Sequence, residues 1–92
     1  MGTFHQHRGE LHGITVAVET ASGDYWIGRC DVADARGVLL HDADVHRPSV
    51  EEAGTRDAFL KRALQVGVWP RHADVMLPSV EVTSITRLSE LG

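Results

Sequence analysis

Residues 13–46, GITVAVETASGDYWIGRCDVADARGVLLHDADVH, contain the clearest strand patterns of this chain. Its first part alternates apolar with polar or small side chains, which is the period-two pattern of a half-buried strand. Aromatic and β-branched residues resume after the turn sequence ASGD, and a further apolar run follows the turn sequence ADARG. The stretch therefore predicts three consecutive strands: GITVAVET (13–20), YWIGRCDV (25–32) and GVLLHDADVH (37–46).

A helix is predicted after these strands. The segment TRDAFLKRALQVG carries apolar residues at helical spacing. Thr55 is the predicted N-cap and Gly67 the predicted left-handed C′ residue, which gives a helix over 56–66. A start at Ser49 is the alternative, because Glu52 would complete a capping box.

Two short strands, DVML and VEVTSITRL, follow the helix and are separated by Pro78 and Ser79. Gly28 inside the second strand indicates a sharp bend. Five short strands with these two corners predict a mainly β fold, a small and strongly bent five-stranded barrel with one inserted helix. We expect a single domain, in which an N-terminal arm precedes strands one to three, a helical insertion, and strands four and five. The respective ranges are 1–11, 12–46, 47–72 and 73–90.

Composition places the chain among globular proteins. Of its 92 residues, 42% are hydrophobic and 24% charged, and the formal net charge of −4 argues against a surface that attracts phosphates all over. Protonating the six histidines would take that charge to +2 on mild acidification. No apolar run is long enough for a membrane span and the N-terminus lacks a signal-peptide core, so we expect a cytoplasmic protein without a membrane partner.

The quoted stretch, without its last three residues, resembles the first conserved motif of Sm-like proteins, the family that includes Hfq-type proteins. The matching features are a turn glycine, an aromatic residue, the bend glycine, an aspartate turn and an apolar strand that ends in Asp-Ala. VMLPSVEVTSI resembles the second motif of that family, with Val82 and Ile85 at the spacing of its Val-x-x-Ile strand. The resemblance covers about half of the chain, and it places the helix between strands three and four.

The resemblance implies an RNA site and a ring of subunits. Carried over, it assigns RNA contacts to Tyr25, Asp34, Arg36 and Ser79, of which only Asp34 matches a base-binding residue of the family. The family's asparagine has no counterpart here, and Pro78 with Ser79 replaces a basic corner pair. We therefore keep two functions open: an RNA-binding homo-oligomer, and an oligomeric scaffold or interaction module that lost the RNA pocket. In both, edge strands would join the copies.

Metal binding is a third possibility, at HDADVH (41–46). Strand alternation predicts Asp42, Asp44 and His46 on one face and His41 on the other. Imidazole and carboxylate groups suit zinc or another first-row metal, but the spacing of the motif is not that of a known metal site. A solvated strand end is the alternative interpretation.

The remaining candidates favour structural roles. His5, His7 and His12 could add ligands if the N-terminal segment folded over the barrel. We expect Cys30 to be a small buried hydrophobe, Trp69 to pack the helix exit against the barrel, and the basic set Arg56, Lys61 and Arg62 to form a solvated face. No group orients a nucleophile and no motif predicts a cofactor, so we expect no enzymatic activity.

Overall fold

The computed structural model describes residues 11–48 and 54–91. An α-helix lies between the third and fourth of five antiparallel strands, and a short 3-10 helix follows the last strand. The elements are β1 (Thr15–Thr20), β2 (Tyr25–Asp34), β3 (Gly37–His46), α1 (Arg56–Val66), β4 (His72–Pro78), β5 (Val82–Arg87) and the 3-10 helix (Leu88–Glu90). The predicted mainly β fold with one inserted helix is confirmed. The N-terminal arm up to residue 10, with His5 and His7, and the alternative helix start at Ser49 lie outside the described residues.

The five strands form one sheet in the order β4-β3-β2-β1-β5. The sheet is curled, because one hydrophobic cluster receives side chains from every strand, and we call this cluster the inner core. It includes Val16, Leu40 and Leu77, with Ile85 packed against it. Trp26 of β2 also meets His72 of β4 edge to face, with ring centroids 5.2 Å apart, although these strands do not pair. The predicted barrel is therefore a bent sheet whose two end strands approach a common core.

At Gly28, where the sequence predicts a bend, the structure has a bulge in the facing strand β3, which was not predicted. Ile27 pairs with Asp44 and Arg29 with His41, so Gly28 alone opposes two residues of β3, Asp42 and Ala43. A Cβ atom on Gly28 would lie 2.7 Å from the Cβ atom of Ala43, so only glycine allows this approach.

The bulge also changes which residues of β3 share a face. Asp42 has a φ of 52°, which is the left-handed conformation common in bulges. Core-facing positions shift from Leu40 before the bulge to Ala43 after it. The predicted alternation, with His41 opposite Asp44 and His46, is therefore wrong, because one extra residue brings these three to the face away from the inner core.

Helix α1 covers a second cluster on the other face of the sheet, which we call the helix core. It contains Ala17 and Ile27 from the strands and Ala63 from the helix, with Phe59 and Leu60 packed against it.

Within residues 11–48 and 54–91, no helix has both the length and the apolar character needed to cross a membrane.

The predicted helix boundaries are confirmed at both ends. The Thr55 hydroxyl accepts a hydrogen bond from the Ala58 N–H at 3.0 Å. Gly67 has the expected positive φ of 91°, but its ψ of 175° is extended rather than left-handed helical, so the chain leaves the helix directly toward β4.

Candidate functional site

Three of the four residues assigned to RNA contact meet at one corner of the sheet. Asp34 is the last residue of β2, and its carboxylate accepts a hydrogen bond from the N–H of Arg36, in the turn between β2 and β3, at 2.9 Å. Ser79, in the turn between β4 and β5, donates its backbone N–H to the Arg36 carbonyl at 2.9 Å. Asp34 is buried, whereas 87% of the Arg36 side chain is exposed. We call Asp34, Arg36 and Ser79 the Asp34 corner.

Tyr25, the fourth assigned residue, lies at the opposite end of β2. Its buried ring packs edge to face on Phe59, with centroids 6.2 Å apart, and the Arg56 guanidinium lies 4.1 Å from the ring centroid. Burial raises the pKa of Tyr25 above its ordinary value. Tyr25 therefore supports helix α1 and is not part of the Asp34 corner.

The three metal candidates each have a different partner. Asp42 is exposed and pairs with Arg29 at 3.3 Å, whereas Asp44 is buried and lies 3.5 Å from Arg62. The His46 Nε2 atom lies 3.0 Å from the carbonyl oxygen of Gly54. Over the ranges 11–48 and 54–91, no three or more His, Cys, Asp or Glu side chains are arranged to hold a metal ion.

A histidine between two aspartates links three strands, and this cluster was not predicted. The His41 Nδ1 atom lies 2.5 Å from Asp74 of β4, and its Nε2 atom lies 3.0 Å from Asp31 of β2. Asp31 is itself the extra residue of a second bulge, because Cys30 pairs with Leu40 and Val32 with Leu39. We call Asp31, His41 and Asp74 the His41 cluster.

Each acid of the His41 cluster favours a protonated imidazole. Hydrogen bonds to Asp31 and then Asp74 raise the pKa of His41 above its ordinary value of 6.5. The hydrogen bond with His41 likewise lowers the pKa of Asp31 from 3.8. The two hydrogen bonds of His41 therefore tie the end strand β4 to the middle of the sheet, and they favour the protonated imidazole over the neutral one.

A second unpredicted group surrounds Trp69. Trp69 does not pack the helix exit tightly, because 54% of the residue is exposed. The guanidinium carbons of Arg62 and Arg71 lie 5.7 and 5.6 Å from its ring centroid, and both cations reach the same oxygen of Asp44. We call Asp44, Arg62, Trp69 and Arg71 the Trp69 patch. Arg62 thus forms an ion pair with Asp44, and Arg56 forms one with Glu19. These two arginines of the predicted solvated basic face therefore contact acidic residues of the sheet.

Apolar side chains are also exposed on and beside the end strand β4. Met76, in the strand, is 53% exposed, and Val80, in the following turn, is 88% exposed. Within the part of the chain that the structure describes, β4 pairs only with β3, and β5 only with β1. Both ends of the sheet therefore offer backbone groups to a further strand.

Comparisons with known proteins extend the description of the fold. No family model matches the sequence, and no curated protein matches it. Among solved structures, the chain is similar to one in the crystal structure of the NatC complex bound to CoA, with a TM-score of 0.57 and 18% sequence identity. The match covers 91% of this chain and 92% of that chain. At this identity the likeness concerns the fold, over nearly the whole length of both chains.

Proposed function

We propose that this chain is an Sm-like protein that works as an assembly module, joining β4 of one copy to β5 of the next. The observation that carries this proposal is the sheet order, which leaves both end strands with one neighbour each among the described residues. A strand at the end of a sheet is a template for a strand of another chain. Head-to-tail pairing of this kind repeats until it closes a ring.

Two further observations support an assembly role. Met76 exposes an apolar side chain in the middle of β4, where a second strand would cover it. The fold is also similar to that of a chain in the crystal structure of the NatC complex. Catalysis is not part of this proposal.

Light scattering on Met76→Lys tests the assembly role. We expect the wild-type protein to give a mass several times the 10.1 kDa of one chain, and Met76→Lys to shift it toward the monomer, because a charge in an edge strand opposes pairing. Val80→Lys is the matched control, since it adds the same charge in the turn beside the strand. A wild-type monomer at high concentration, or equal effects of the two variants, would contradict the proposal.

RNA binding at the Asp34 corner is the second candidate function. It is favoured because the end of β2 and two turns that are distant in sequence bring Asp34, Arg36 and Ser79 together. The Arg36 guanidinium lies 3.6 Å from the Asp34 carboxylate, and 87% of the Arg36 side chain is exposed. An exposed arginine at a corner can neutralise a phosphate or stack on a base. In a ring, one such cation from each copy would add to the others.

Fluorescence anisotropy with short uridine-rich and adenine-rich RNAs tests this second candidate. We expect saturable binding at low salt that weakens as salt rises and weakens further in Arg36→Gln. Lys61→Gln removes an equal charge from helix α1 and should bind as the wild type does. Binding that is absent at about pH 6 and about pH 8, or that is equally weak in the two variants, would leave assembly as the function.

A further inference from the structure

Two arginines from different segments are held beside one exposed tryptophan. Arg62 comes from helix α1 and Arg71 from the segment that enters β4, and the indole ring of Trp69 lies within 6 Å of both guanidinium carbons. Arginine over an indole ring is a favourable cation–π arrangement. The Trp69 ring therefore helps to position both guanidinium groups.

The Asp44 carboxylate forms ion pairs with the same two arginines. Its side chain is 7% exposed, and one of its oxygens lies 3.5 Å from the Arg62 guanidinium and 3.7 Å from that of Arg71. One carboxylate for two guanidiniums leaves an excess of one positive charge. Within residues 11–48 and 54–91, no other acid lies in ion-pair distance of Arg62 or Arg71.

Arg62 and Arg71 retain guanidinium N–H donors that do not bind Asp44. A guanidinium carries five N–H donors in a planar fork, and Asp44 occupies few of them. About half of the Arg62 side chain and 60% of that of Arg71 are exposed. The Trp69 patch therefore presents oriented donors, a positive charge and an aromatic face that a partner can reach.

The surface beside Trp69 is a shallow depression. It is lined by Phe59, Ala63 and Val68 together with Asp44. Small-molecule sites usually enclose roughly 300–1,000 Å³, and this depression has no enclosed space of that kind. A partner would therefore contact the patch from the surface, without entering a cavity.

Charge and residue type favour a protein partner. Tryptophan and arginine dominate the energetics of protein–protein contacts, and a carboxylate binds the fork of an arginine in two parallel hydrogen bonds. RNA would need more phosphate-neutralising cations than these two, on a chain whose net charge is −4. An acidic peptide segment complements the patch in both charge and geometry.

We propose that the Trp69 patch is a docking site for an acidic segment of a partner protein, which places a carboxylate on Arg62 and Arg71 and an apolar side chain against Trp69. The patch comprises residues of helix α1, of β3 and of the segment that enters β4, and it includes neither Met76 nor Val80. The inference therefore does not rest on the residues used to test assembly.

The experiment is an NMR titration of the full chain, followed at the indole N–H signals. Trp69→Ser assigns the signal of Trp69, and Trp26, which is buried, is the internal reference. The probes are a capped Gly-Glu-Phe-Glu-Gly peptide, its Gly-Gln-Phe-Gln-Gly counterpart and a uridine octamer. We expect the acidic peptide to shift the Trp69 signal saturably and to bind at least ~10-fold more tightly than the amide peptide.

Matched variants identify the cations involved. Arg62→Gln and Arg71→Gln should each weaken binding of the acidic peptide by about 5-fold or more, whereas Lys61→Gln, which removes the same charge from a neighbouring helix position, should change it by less than about twofold. If Arg62→Gln fails to fold, Arg62→Lys keeps the charge that faces Asp44 and should still weaken binding, because lysine lacks the planar fork. Met76→Lys should bind the peptide as the wild type does.

Four outcomes would overturn the proposal: equal affinity for the two peptides, equal effects of Lys61→Gln and Arg62→Gln, a Trp69 signal that none of the probes moves, or a signal that only the uridine octamer moves. The last result would assign the patch to RNA. None of these bears on self-association, which light scattering measures separately.

Discussion

At the level of single residues, Gly28 leaves too little space for a side chain. Gly28→Ala would place its Cβ atom 2.7 Å from the Ala43 Cβ atom and 3.0 Å from the Ala43 Cα atom. We expect the free energy of unfolding to fall by about 1–3 kcal/mol, as for other overpacked sites, in a urea denaturation experiment. Adding Ala43→Gly should recover part of the loss, because it removes the nearer of the two contacts. No loss in the single variant would mean that the sheet opens here without strain.

The His41 cluster predicts a pH dependence whose sign is fixed by its pKa shifts. The pKa of His41 is raised, so its stabilising effect is complete below about 6.5 and is lost as pH rises through the higher value of the folded state. The pKa of Asp31 is lowered, so its effect is present above 3.8 and is lost on further acidification. The cluster therefore stabilises the fold most between these two pH values.

A double-mutant cycle of His41→Asn and Asp74→Asn measures this effect. We expect favourable coupling between the two residues at about pH 5.5 and little at about pH 9, where the imidazole is neutral. The Arg56–Glu19 pair is the control, since arginine and glutamate keep their charges over this range. Coupling in the His41 cycle that is the same at both pH values would show that charge is not its source.

Residue patterns in the sequence predicted the strands and the helix cap but not the side-chain clusters. Thr55 follows a local rule, because an N-cap needs only the next three residues. Asp31, which contacts His41, is the extra residue of a bulge in β2, and a bulge depends on the register between two strands. The Trp69 patch likewise joins residues of β3, α1 and the segment before β4, so no local pattern contains it.

At the scale of elements, helix α1 depends on its cap at Thr55. Thr55→Ala removes the acceptor for the Ala58 N–H and should lower the free energy of unfolding by about 1 kcal/mol. Thr55→Ser keeps a hydroxyl at the same place and should lose much less. Urea denaturation followed by circular dichroism measures both variants, and an equal loss would place the effect in the threonine methyl group instead of the cap.

At the scale of the whole molecule, the two cores share their strands. Alternate residues of β2 point into different cores, with Trp26 in the inner core and Ile27 in the helix core. Because β2 packs in both cores, we expect neither core to unfold without the other. The described residues should therefore unfold in one cooperative transition.

Core substitutions test this cooperativity. Leu40→Ala in the inner core should cost about 2–5 kcal/mol, and Ile27→Val in the helix core about 0.5–1.5 kcal/mol. Both should move the same transition, observed with coincident midpoints by tryptophan fluorescence and by circular dichroism of the helix. Separate midpoints in the Ile27→Val variant would show that helix α1 leaves the sheet on its own.

The pairing of β1 with β5 has a consequence for synthesis of the protein in the cell. The first strand lies between β2 and the last strand, with Val18 opposite Ile85. A growing chain can pair β1, β2 and β3 as soon as they leave the ribosome, but one edge of β1 has no partner until β5 follows. The sheet is therefore completed only after β5 (Val82–Arg87) has been translated, and until then a chaperone or a neighbouring nascent chain competes for that edge.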